Sequence, residues 1–149
     1  MTGWEQLKLE NQLCFPLYAA SRLVIREYQP HLVRLGLTYP QYLVLMLLWE
    51  RDGQAVSEIA HKLVLNTNTI TPLLKRMEVL GILLRRRSGQ DERKVIVELT
   101  PHGHELRTKA RDVPFILMEK ITSGTLKVEE LIRLKGNLER VIELLGKGE

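Results

Sequence analysis

Apolar positions recur at three- and four-residue steps along most of this chain, and give way to β-like runs only between Leu83 and Leu99. From about Glu5 to Gln29, the residues Leu13, Leu17, Ala20, Val24 and Tyr28 mark one face of a helix. Pro16 interrupts that face. Lacking an N–H and crowding the carbonyl of Gln12, it predicts either kinked first turns or a regular helix that begins near Pro16. Gly36 closes the following segment, and Leu37 to Tyr42 is a strong helix start. Thr38 caps, Gln41 reaches back, Pro40 is tolerated in the first turn, and Leu37 staples onto Tyr42. The helix then runs through YLVLMLLWE, apolar nearly all round and so central to the core, until Asp52-Gly53 stops it.

Ser57 to Leu65 predicts a short helix with Ile59 and Leu63 inward. Asn66, Thr67, Thr69 and Thr71 open the next, whose buried stripe is Ile70, Leu73 or Leu74, Met77 and Leu80. Pro72 argues that this helix is regular only from about Asn68 or Thr69, and Gly81 closes it. Leu83–Arg87 and Val95–Leu99 follow as two short strands around the turn-forming SGQDERK, a hairpin with a charged tip. Thr100-Pro101 starts a helix carrying Leu106, Ala110, Val113, Leu117 and Ile121, which Pro114 should bend. Beyond Thr122-Ser123-Gly124, the residues Leu131, Leu134, Leu138, Val141 and Leu145 form a seam with alternating three- and four-residue steps, suited to packing subunit on subunit.

With 149 residues, 44% of them hydrophobic and 27% charged, the chain is expected to fold as one domain of ordinary globular composition. Its start, MTGWEQLKLENQ, has no signal pattern, and charges break every apolar run well short of about 18 residues, so a cytoplasmic protein with no membrane span is expected. The net charge of +4 favours a polyanionic partner, and its distribution sharpens that reading. Between Asn66 and Thr100 seven Lys/Arg face four acidic residues, so three of the four net positive charges lie there. Cys14 is the single cysteine, so no intrachain disulfide can form. It could be a small buried hydrophobe, a reactive thiol, or a residue that pairs between chains. His31, His61, His102 and His104 do not make a metal set, since His102 and His104 do not share a helix face and no other ligand completes one. No phosphate loop or serine-nucleophile motif is present, so neither a cofactor nor an enzymatic activity is expected.

Helix, helix, basic hairpin is the order of a winged helix-turn-helix that reads double-stranded DNA. Hydroxyl and amide groups at the start of the second helix would meet base edges, and lysines and arginines would neutralise phosphates. The candidate contacts are Asn66, Thr67, Asn68, Thr69, Thr71, Lys75, Arg76, Arg86, Asp91, Arg93 and Lys94. Arg93 is the side chain best suited to a minor groove, with Asp91 able to hold its guanidinium. The competing reading makes these ordinary solvated charges.

The stretch VSEIAHKLVLNTNTITPLLKRMEVLGILLRRRSGQDERKVIVELTPHG resembles the MarR family of winged helix-turn-helix regulators, the D-E-R of the wing being one of its better-defined signatures. LENQLCFPLYAASR with YPQYLVLMLLWE is similar more narrowly to the organic-hydroperoxide-sensing, OhrR-type branch. The resemblance implies a mainly α fold, with a two-stranded β wing and an all-helical dimerisation region. It implies dimerisation helices at about 5–35 and 101–149 and a DNA-binding module at about 38–100. It also implies a homodimer on a palindromic operator, and Cys14 as the thiol oxidised by organic hydroperoxide. Tyr28 and Tyr39 stand where that branch has tyrosines that hydrogen-bond the sulfur from the partner subunit, and Tyr18, one turn from Cys14, could join them. With no second cysteine, the oxidised thiol would go to sulfenic acid, to a mixed disulfide with a small thiol, or to overoxidation. Pro16 departs from the aliphatic residue expected there. The alternatives are a MarR-type repressor released by a small aromatic ligand, with Cys14 structural only, a thiol peroxidase, and an architectural DNA protein.

Overall fold

The computed structural model describes residues 3–147. Their elements run α1 Cys14–Arg34, α2 Tyr39–Glu50, β1 Gln54–Ala55, α3 Val56–Lys62, α4 Thr67–Val79, β2 Leu83–Arg87, β3 Val95–Leu99, α5 Pro101–Lys109, α6 Val113–Thr122 and α7 Val128–Gly146. The fold is mainly α, with a winged helix-turn-helix at its centre.

Local signals set most of these boundaries. Thr38 and Gln41 form a reciprocal capping box at the start of α2, and Asn66 Oδ1 accepts the Thr69 N–H at the start of α4. The strands of the wing fall where the β-prone runs place them, pairing antiparallel from Leu83 opposite Leu99 to Arg87 opposite Val95. The expected two-stranded wing gains a third strand, because β1 adds to the other edge of β3, with Gln54 opposite Val97. Gln54 is buried and fully satisfied. Its amide donates to the Leu47 and Arg51 carbonyls (2.8 and 2.6 Å), closing the end of α2, and its oxygen accepts from Lys62 Nζ at 2.9 Å.

Prolines bear out one expectation and account for three corrections. Before Pro16 the chain makes only two short 3-10 turns, Glu5–Leu7 and Leu9–Asn11. The regular helix starts at Cys14, the second of the two outcomes expected, so Pro16 sits unkinked in the first turn, where N–H groups have no helical acceptor. α1 then continues through Pro30 to Arg34, past the expected end near Gln29. α4 is helical from Thr67, with Pro72 inside it, rather than from Asn68 or Thr69. The expected bent helix from Pro101 to Ile121 is two helices, since the Pro114 ring would clash with the Ala110 carbonyl and α5 ends there.

One core joins the modules. Leu32 and Leu37, Val44, Leu45 and Leu48 of α2, Ile59 of α3, Ile70, Leu74 and Met77 of α4, and Val97 and Leu106 are all buried in it. Leu80, expected in the α4 stripe, is instead exposed. At Gly103 the start of α5 passes so close to the turn after α4 that an added Cβ would lie 2.2 Å from the Ile82 carbonyl oxygen. Alanine is worth about 1 kcal/mol over glycine in a helix, but overpacking that forces backbone to move costs about 1–3 kcal/mol. With an added Cβ only 2.2 Å from a backbone oxygen the clash wins: Gly103→Ala should lower the urea midpoint by the equivalent of up to about 2 kcal/mol with an unchanged slope.

Two long faces stay uncovered within the protomer. α7 has no buried residue, and Ile132, Leu134, Ile142, Leu144 and Leu145 are exposed on it. Leu13, Phe15, Tyr18 and Leu23 are exposed along the first half of α1. Among the described residues, no single helix is long and apolar enough to cross a membrane.

Candidate nucleic-acid interface and thiol site

Burial of Ile70, Leu73, Leu74 and Met77 orients α4. Its opposite face carries Thr67, Asn68, Thr69, Lys75 and Arg76 exposed, with Thr71 half-buried between the two faces. Asn66 uses its oxygen as the cap, which leaves its amide N–H group free of that bond.

The wing tip is ordered by short-range bonds. Ser88 Oγ accepts the N–H groups of Gln90 and Asp91, and the Ser88 and Lys94 backbones close the loop through Lys94 O and Asp91 O. Asp91 Oδ1 accepts both the backbone N–H of Arg93 (3.1 Å) and its Nε (3.2 Å). These bonds to Arg93 hold the Asp91 carboxyl below the usual carboxylate range. Arg93 is thus anchored at its base while its side chain remains 92% exposed, and Lys94 is exposed beside it. Arg86 is engaged differently. It forks onto Glu98 Oε1 across the strands at 3.0 and 2.6 Å, so its charge is compensated within the wing. Arg87, one residue on, spends a single bond on the Glu92 carbonyl and is exposed. It is the better-placed cation of the pair, and the run of three arginines gave no signal to separate them, since pairing with Glu98 depends on strand register.

The thiol and the tyrosines lie at opposite ends of α1. Cys14 is the exposed first residue of the helix, and Tyr18 one turn on is exposed with Arg22 over its ring at 4.7 Å. Tyr28 is 14 residues beyond Cys14, roughly 21 Å at the helical rise of about 1.5 Å per residue. There it packs on Tyr39 (ring centroids 5.4 Å apart) and on Tyr42 (5.9 Å), and Tyr42 meets Trp49 edge-on at 6.3 Å. Burial, followed by the neighbouring Tyr42 and Tyr39, pushes the Tyr28 hydroxyl up to about 12, so it remains a proton donor at any ordinary pH. The structure therefore brings Tyr28 and Tyr39 together, adds Tyr42 to them, and keeps all three away from the Cys14 of the same chain.

Residues 26–110 match a family of transcriptional regulators described as SarA/Rot. The organic hydroperoxide resistance transcriptional regulator of Bacillus subtilis (strain 168) is 46% identical over 143 residues, 95% of each chain. The chain belongs to the MarR family, in its organic-hydroperoxide branch.

Solved members of the MarR family share the architecture. AbfR of Staphylococcus epidermidis is 36% identical, with 95% of each chain covered and a TM-score of 0.75. Reduced AbfR bound to DNA gives 38% identity, 95% and 96% coverage and a TM-score of 0.73. The disulfide-formed AbfR, also 38% identical and covering 93% and 95%, gives only 0.61. This MarR-family chain is thus closer in shape to the DNA-bound reduced form than to the disulfide form.

Proposed function

We propose that the protein is a redox-sensing transcriptional repressor: a reduced homodimer that holds a palindromic operator and lets go when organic hydroperoxide oxidises Cys14. The observation that carries this reading is the placement of the lone thiol. It is exposed at the start of α1, on a face its own protomer leaves bare, while donor tyrosines cluster at the other end of the same helix. Pairing two α1 helices antiparallel across a two-fold axis would bring each Cys14 to the partner's Tyr28 and Tyr39, with Tyr18 alongside. Residues about 5–35 and 101–149 form the dimer platform in this reading, and about 38–100 the DNA-binding module.

On DNA, α4 would enter the major groove through Asn66, Thr67, Asn68, Thr69 and Thr71. Lys75, Arg76 and Lys94 would neutralise phosphates, and Arg93, steadied by Asp91, would reach the minor groove. Arg86 contributes by holding the wing through Glu98, and Arg87 supplies the free charge. Two-fold symmetry sets the half-sites about 34 Å apart. The cytoplasm, where DNA and reduced thiols coexist, is the compartment that fits.

The chemistry balances without a second cysteine. The Cys14 thiolate attacks one peroxide oxygen, the O–O bond breaks, and the departing alkoxide takes a proton to leave as the alcohol, giving Cys14 sulfenic acid. A small thiol then displaces hydroxide, released as water, to form a mixed disulfide, while further peroxide overoxidises the sulfur. The mixed disulfide enlarges a side chain at the subunit interface and disturbs the spacing of the two α4 helices.

The test is binding to the protein's own upstream DNA with and without organic hydroperoxide, for wild type and Cys14→Ser, with intact mass recorded in parallel. Both proteins should bind when reduced, and only the wild type should be released as it gains mass. Equal release of Cys14→Ser, or wild-type binding that ignores peroxide, rules the sensor out.

A further inference from the structure

The tyrosine cluster and the wing are joined by α2. Tyr39 and Tyr42 belong to its first turn and Trp49 to its last, a span of ten residues or roughly 15 Å. At the far end Trp49 Nε1 donates to the Gly103 carbonyl oxygen at 2.9 Å, linking α2 to the start of α5. Just past α2, Asp52 Oδ1 accepts the Leu99 N–H, also at 2.9 Å, linking it to the end of β3. Gly103 is itself pressed against the Ile82 carbonyl, which accepts both the N–H and the hydroxyl of Thr100, at 3.1 and 3.0 Å. The Thr100 hydroxyl also lies 2.6 Å from the Gly81 carbonyl oxygen and accepts the Gly103 N–H. The end of α4, the end of β3 and the start of α5 therefore meet in one small knot.

We propose, resting on the sensor reading above, that α2 is the coupling rod between thiol and DNA, and that Trp49 is its positioning residue at the wing end. A helix whose backbone bonds are all internal moves as a unit. An oxidised Cys14 arriving against Tyr28 and Tyr39 displaces the first turn of α2, and the Trp49 N–H carries that displacement into Gly103 and the base of the wing. The interior offers no slack, since Val44, Leu45 and Leu48 of α2 are buried against the core. A close-packed rod with two discrete attachments transmits a shift that a loop would absorb. Trp49 touches neither peroxide nor DNA, so its loss should change the response and leave each binding event intact.

The measurement is the dissociation constant for the upstream duplex before and after treatment with cumene hydroperoxide, for wild type and Trp49→Phe, with Cys14 oxidation followed by intact mass. Phenylalanine keeps a ring beside Tyr42 and removes the N–H donor together with part of the indole's bulk, whose loss alone would weaken both states equally. With allosteric couplings typically about 5–150-fold, the oxidised-to-reduced ratio of Trp49→Phe should fall about tenfold below that of the wild type. Its reduced affinity and its rate of Cys14 oxidation should match the wild type. An unchanged ratio overturns the proposal, as does equal weakening of both states, which would make Trp49 merely structural. A wild type that keeps its DNA while Cys14 is oxidised overturns the sensor reading first. A second measurement does not depend on that variant folding: in a Trp4→Phe protein the remaining indole is Trp49, and its emission must change as Cys14 is oxidised. An unchanged spectrum sinks the coupling rod.

Discussion

Leu134→Glu is expected to yield a well-folded monomer that has lost most of its operator affinity. Leu134 is exposed in the middle of α7, so a charge there meets water in the protomer and costs little of its folding stability. In the dimer the same carboxylate would be driven into the apolar seam of Leu131, Leu138 and Val141, where an unpaired charge is strongly disfavoured. Losing the second half-site then removes the gain from tethering two readers, about 10²–10⁴-fold in affinity. Sedimentation equilibrium with fluorescence anisotropy on the same sample checks both halves. A variant that remains dimeric would show that the α7 seam is not the interface. A monomer with wild-type affinity would show that the operator is not read by two copies.

Tyr28→Phe should slow oxidation of Cys14 by about tenfold near neutral pH, because a hydrogen bond to a charged group is worth about 1.5–3 kcal/mol and is lost with the hydroxyl. The ring is kept, so packing on Tyr39 and Tyr42 survives and the fold with it. The sign follows from which state the hydroxyl favours. Tyr28 stays protonated up to about 12, so across the working range it keeps an O–H to offer the sulfur, and donation stabilises the thiolate over the thiol. Removing it leaves less thiolate at a given pH, and the profile of rate against pH should move to higher pH and recover the wild-type rate in alkali. Stopped-flow oxidation at a series of pH values reads this directly. A rate lowered equally at every pH would mean that Tyr28 shapes the pocket without touching the sulfur. A heterodimer carrying Tyr28→Phe in one chain and Cys14→Ser in the other should keep the wild-type rate, because its intact thiol faces the intact tyrosine across the subunit interface; a rate as slow as that of the Tyr28→Phe homodimer would rule out that pairing.

Much of this was legible along the chain. The Thr38–Gln41 box, the Asn66 cap and both wing strands lie where residue pattern alone places them, because caps and alternation act over three or four residues. Where expectation failed, the competing force was also local but finely balanced. Pro72 is accommodated inside a helix that neighbouring packing holds together, whereas Pro114 ends one helix and begins the next. β1 gave no warning, since two residues, one of them glutamine, carry no strand pattern. It exists because β3 offers an open edge and Gln54 finds three partners in the folded chain.

What the amino-acid order by itself determined is the succession of helices up to the wing, the charged hairpin, the local excess of positive charge and the solitude of Cys14, all properties of short stretches or simple counts. Only the tertiary structure decided which arginine of the wing is spent on Glu98, which tyrosines share a cluster, and that Trp49 of α2 donates to the carbonyl of Gly103. It also separated Cys14 from Tyr28 along one helix and left the faces of α1 and α7 bare. These are encounters between residues far apart in the chain, set by strand register and helix packing, and no local preference encodes them.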